Sequence, residues 1–240
     1  MIRYLIFYWL TLHSFAVIAD TNRYPYDNFA YAGETGGIIE TNHEDERLYL
    51  ALRYDPTYTR AQKAIIKRAT GIFLERALSP AVIGCAFSTA TKDFIHNDSF
   101  GFQEQMFEAL KSRHIGDLQF PAHLYIARYW GEDDTVGIAY IDLFYKTDFP
   151  LPGYADRHYF HVALNSDFIG PKAEYRYGND EEYWAGVIAH EVLHNLGYIH
   201  PTGATGSFIK EYGNCIASNG FSGDSPVGST GDRVVHDLEM

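Results

Sequence analysis

Residues 190–200, His-Glu-Val-Leu-His-Asn-Leu-Gly-Tyr-Ile-His, restrict this 240-residue chain more than any other stretch. Two histidines four positions apart on a helix lie one turn above each other on the same face. His190 and His194 can therefore reach a single metal ion through bonds of about 2.0–2.1 Å. Glu191 follows the first of them. It is too far round the helix to be a natural third ligand, but its carboxylate can take a proton from a water on the ion. Gly197 stands where a helix would end in the left-handed conformation that glycine adopts without penalty, so the chain can turn and bring His200 in from a new direction. Three imidazoles leave the fourth position of a zinc ion open, which separates a catalytic zinc site from a closed structural one.

A histidine pair with glutamate at this spacing would arise by chance in roughly a few chains per hundred of this composition. Requiring glycine and histidine at the two further positions lowers that by another factor of roughly 250, given 21 glycines and 11 histidines in 240 residues.

The stretch HEVLHNLGYIH resembles the signature of the metzincin zinc peptidases, H-E-x-x-H-x-x-G-x-x-H, at every specified position. The resemblance implies zinc bound by His190, His194 and His200, Glu191 as general base, and a protein or peptide substrate. It also implies an α+β catalytic domain: a twisted, mostly five-stranded sheet with backing helices, a zinc-binding helix and a small C-terminal subdomain. The chain departs from the family at one point. Metzincins carry a methionine in a tight turn beneath the zinc, whereas the only methionine after His200 is the terminal Met240. Tyr212 to Ala217, with Cys215 in the methionine's place, is the candidate for that turn. Some metzincins also use a tyrosine from the turn to assist the transition state, and Tyr212 is the nearer candidate by chain order, with Tyr198 read as packing.

With 46% hydrophobic and 16% aromatic residues, the chain can bury one domain of ordinary size. Met1-Ile2-Arg3 and the apolar run Tyr4–Ala19 read as a signal peptide (1–19) cleaved before Asp20. The run is interrupted by Thr11, His13 and Ser14 and is short for a spanning helix. No later segment offers one, so the mature chain is expected to have no membrane span. Export to the extracellular space or a periplasm would allow Cys85 and Cys215 to pair, or they stay reduced. A formal net charge of −12 argues against nucleic acid as a partner, since phosphate binding needs basic patches.

Residues 20–45 read as an extended lead-in, with Glu34 and Glu40 as carboxylates that an inhibitory segment would bring to the metal, or more simply as solvated acidic positions. The catalytic domain follows over 46–240, its upper part at 46–197 and its lower part at 198–240. Leu48, Leu50 and Leu52 alternate through a first strand, Arg47 to Tyr54. Asp55-Pro56 opens a helix to Leu78, which Ser79-Pro80 stops. Ala81 to Phe87 reads as a short buried strand holding Cys85 in the core. Asp98-Ser99 caps a helix with Phe102, Met106 and Leu110 on one side, ending near Gly116. Strands are expected at His123–Tyr129, Val136–Tyr145 and His158–Leu164, either of the last two being the exposed edge, with His158 and His161 pointing to opposite faces as structural residues. Asn179 to Glu182 begins the zinc helix, held to the sheet by Trp184, Val187, Ile188, Val192 and Leu196.

Two other functions fit the same residues: a zinc-binding secreted protein without peptidase activity, and a zinc hydrolase of non-peptide amides or esters.

Overall fold

A computed structural model describes residues 34–90, 99–115, 118–129, 135–139, 159–170, 176–200 and 206–220. The expected signal peptide, His158, residues 140–145 and the tail after Gly220 lie outside the described residues.

The described chain is a mixed α+β fold with an open five-stranded sheet and five helices. Strands β1 (Glu34–His43) and β2 (Glu46–Tyr54) form an antiparallel hairpin. β2 then pairs in parallel with β5 (Ala122–Tyr129), and β5 in parallel with β7 (Tyr159–Asn165). β6 (Gly137–Ala139) closes the described sheet antiparallel to β7, giving the order β1-β2-β5-β7-β6. β3 (Arg113–Ile115) and β4 (Leu118–Phe120) make a separate two-stranded ladder.

The alternation of β2 is as expected, with Leu48, Leu50, Leu52 and Tyr54 all buried. Several local expectations change. The lead-in enters the sheet at Glu34, because pairing along β2 supplies hydrogen bonds that its own Gly-rich sequence does not announce. Ala81 to Phe87 is helical, within α2 (Pro80–Thr89). Ser79-Pro80 ends α1 (Arg60–Arg76) and also starts α2 with proline in its first turn, the two helices meeting at 86°. Finally, β7 lies inside the sheet, so of the two expected edges only β6 stands at an edge among the described residues.

Helix α1 begins at Thr59 rather than Asp55 because Thr59 and Gln62 form a reciprocal capping box. Asp55 instead accepts from the Thr57 amide at 2.8 Å. Helix α3 (Ser99–Leu110) buries Phe102, Met106 and Leu110 as its spacing requires, and stops at Leu110 before β3. Helices α4 (Glu181–Asn195) and α5 (Phe208–Ala217) pack against each other, and α4 also contacts α1, β6 and β7. Among the described residues no single helix is long and apolar enough to cross a membrane.

Two long-range links fix the helices. Arg76 of α1 donates to the carbonyls of Ile216 at 2.8 Å and Ala217 at 3.3 Å, and pairs with Glu182 of α4 at 2.7 Å. Cys85 of α2 is bonded to Cys215 of α5, with Cα atoms 6.0 Å apart and a sequence separation of 130.

A cross-link closing so long a loop restricts the unfolded chain strongly. Reduction, or replacing Cys85 and Cys215 with serine, is expected to lower the unfolding free energy by about 3–5 kcal/mol. Denaturant titration with and without reductant measures this, and coincident curves would rule the link out as a source of stability.

Candidate metal centre

The helix that carries the site is fixed at both ends. Asp180 caps α4 by accepting from the Tyr183 amide at 2.9 Å, and Glu181 and Glu182 place negative charge at the positive end of its dipole. Tyr183 through Asn195 are all buried. The Trp184 ring N–H donates to the Tyr177 carbonyl at 3.1 Å, and Asn195 Oδ1 accepts from the His161 amide of β7 at 2.8 Å.

At the C-terminal end Gly197 has φ 91. Its amide reaches the His194 carbonyl at 2.9 Å and the Tyr198 amide reaches Leu193 at 3.1 Å. These are the two bonds of a Schellman stop, which satisfies helix carbonyls while reversing the chain. His200 follows that reversal.

The result brings together His190, His194 and His200, whose ligand atoms lie within 4.8 Å of one another. The Nε2 atoms of His190 and His200 are 3.0 Å apart, close to the roughly 3.3 Å between two nitrogens on a tetrahedral ion with bonds of about 2.0–2.1 Å. His194 Nδ1 is 2.8 Å from the Tyr198 carbonyl, so this nitrogen carries the proton and Nε2 is left as the ligand atom. His200 Nδ1 is 3.3 Å from the hydroxyl of buried Ser207. Burial, followed by the other two histidines and Lys210, holds His190 well below its ordinary range. Burial, then His194 and Lys210, pushes His200 down to about 3. Neutral imidazole is the metal-binding form, so the donors suit a metal ion.

Glu191 is buried beside His190, beneath β6. The expected methionine-type turn is absent from its place: Tyr212 to Ala217 are part of helix α5, with Cys215 held in the disulfide. Gly213 brings α5 against α4, since a Cβ there would lie 2.8 Å from the Gly186 carbonyl oxygen and 3.4 Å from the His190 Cβ. The Tyr212 hydroxyl donates to the Ala77 carbonyl at 2.7 Å within the core. Tyr198 is buried, packs edge-on to Phe102, and donates to Gln105 at 2.9 Å. His161 is buried against Tyr125 and pushed down to about 3 by burial. Glu34 pairs with Lys63, and both Glu34 and Glu40 lie on β1 at the opposite edge of the sheet from β6.

Ser207 and Gly137 are the site-facing residues that sequence reading misses. Ser207 stands at the N-cap of α5, yet its side chain makes no capping bond. A serine immediately before a helix is read as a cap by default, which hides its contact with His200.

The chain matches no family model, no curated protein and no solved structure. What the residues define is a buried three-histidine centre able to hold a metal ion.

Because Ser207 caps nothing, replacing it with alanine isolates its contact with His200. Ser207→Ala is expected to weaken metal affinity about tenfold while leaving helix content unchanged, as read by chelator competition and circular dichroism; unaltered affinity would remove Ser207 from the centre. The metal-free chain should also be acid-sensitive. His161 and His200 fall from an ordinary 6.5 to about 3 on folding, so the unfolded chain binds more protons between those values. Their contribution is complete above pH 6.5 and is lost as pH falls toward 3. A denaturant midpoint that stays constant from neutral pH into that window would contradict it.

Proposed function

We propose that this chain is a secreted zinc-dependent endopeptidase of the metzincin kind, with His190, His194 and His200 as ligands and Glu191 as general base. The observation that carries the reading is the convergence of three imidazoles whose ligand atoms lie within 4.8 Å of one another, with the buried Glu191 next in the chain to His190. Three nitrogens, without thiolate, suit zinc and leave a coordination position for catalysis. The disulfide and the N-terminal apolar run support export to an oxidising compartment.

Zinc bound there would supply a Lewis acid for the peptide carbonyl and lower the pKa of a bound water toward about 7. The chain's own groups do the rest. The Glu191 carboxylate accepts a proton from the attacking water and returns it to the departing amine nitrogen. Its burial keeps bulk water from competing for that proton. The Tyr198 carbonyl and Ser207 hydroxyl hold the His194 and His200 rings in orientation. β6, the last strand of the described sheet, would offer its outer backbone edge to an extended peptide. Tyr212, bonded to Ala77 in the core, has no part in the reaction.

Purified chain beginning at Asp20 is expected to cleave a denatured protein, and chelation is expected to abolish the cleavage. At equal zinc loading, Glu191→Ala should lower kcat about a thousandfold. Cleavage that survives chelation, or a fully active Glu191→Ala, would overturn the proposal.

A further inference from the structure

We propose that Gly137 is the positioning residue for the Glu191 carboxylate: by carrying no side chain, it lets β6 lie against Oε1 and fixes where that oxygen stands. The inference rests on the reading of Glu191 as the base.

A Cβ at residue 137 would stand 2.9 Å from Glu191 Oε1, 3.2 Å from Glu191 Cγ and 3.1 Å from Val187 Cγ1. Two of its three nearest atoms therefore belong to Glu191. Backbone conformation does not explain the glycine, because residue 137 is not among the positive-φ glycines. Strand propensity does not either, since glycine weakens a strand and typically marks a close approach of another group. The space it leaves is the reason for it.

The neighbouring elements cannot give way to a side chain. β6 is in register with β7, Gly137 opposite Leu164. Immediately upstream, the Asn165 amide donates to the Val136 carbonyl at 2.8 Å, and the buried Asn165 side chain donates to the Thr135 carbonyl at 3.0 Å. On the other side α4 is buried throughout its length past Glu182. With strand and helix both pinned, a methyl group at 137 must move the glutamate side chain. Alternation on β6 shows that the glycine is particular to this position: Ile138 packs on the far face of the sheet with Tyr125 and Ala163, while Ala139, facing back, keeps its methyl against the main core.

A displacement of about 1 Å in a reacting group can cost about a hundredfold in rate. Gly137→Ala is therefore expected to lower kcat on denatured protein by about a hundredfold, with KM and zinc affinity within about twofold of the parent. A second measurement needs no activity. In the metal-free chain, Gly137→Ala should lower Tm by about 3 °C or more when Glu191 is present, and by clearly less in the Glu191→Ala background, where both crowded glutamate atoms are gone and only the Val187 Cγ1 contact remains. Failure of Gly137→Ala to fold unless Glu191→Ala accompanies it is the same coupling in stronger form. Equal Tm changes in the two backgrounds, or a kcat loss matched by lost zinc affinity, would overturn the assignment. If the parent chain cleaves nothing, the peptidase reading fails, and the melting cycle still decides whether residue 137 sets the carboxylate.

Discussion

The complete burial of helix α4 from Tyr183 to Asn195 is the condition that the surrounding structure answers to. A helix without a solvent face is ordinarily apolar all round, yet this one carries His190, Glu191, His194 and Asn195 through its last turns. Taking such groups from water is unfavourable unless they are neutral or hydrogen-bonded. Asn195 is bonded to β7, His194 to the Tyr198 carbonyl, and burial holds His190 well below its ordinary range. The partners of Asn195 and of His194 Nδ1 thus come from the immediate surroundings of α4. It needs α1, α5, β6 and β7 closed around it.

That closure divides the centre between two elements that are distant in role. α4 and its Schellman stop deliver the three imidazoles, while the partner of His200 comes from the start of α5. α5 is in turn clamped at its C-terminal end by Arg76 and tied to α2 through Cys215. Gly213 allows it to touch the Gly186 carbonyl. The disulfide is therefore more than a general staple, since it anchors the helix whose first turn orients a candidate ligand.

What could be read in advance was whatever is encoded locally. The spacing of His190 and His194, the acidic helix start at 179–182, the glycine stop at 197 and the alternation of β2 each depend on residues within one turn or strand. Ala81 to Phe87 failed because so short an apolar run has no period of its own, and only Ser79-Pro80 hinted that a helix was beginning. β1 was hidden for a different reason: its Gly-rich start reads as loose chain until β2 supplies the pairing. At residues 212–217 the family resemblance pointed to a turn, whereas Tyr212, Cys215 and Ile216 are spaced as the buried face of a helix.

The glycines show where this boundary falls. Gly197 is legible because its need is conformational, and a positive φ after a helical pattern is a local requirement. Gly137 and Gly213 are required by space, each where a backbone passes close to part of the centre: one against Glu191, the other beside His190. Nothing in their own neighbourhoods on the chain states that need, because the group each admits lies on α4. A site of this kind is thus written in two ways. The candidate ligands and the candidate base are concentrated in one readable stretch, and the clearances around them are scattered through strands and helices that reveal them only once packed.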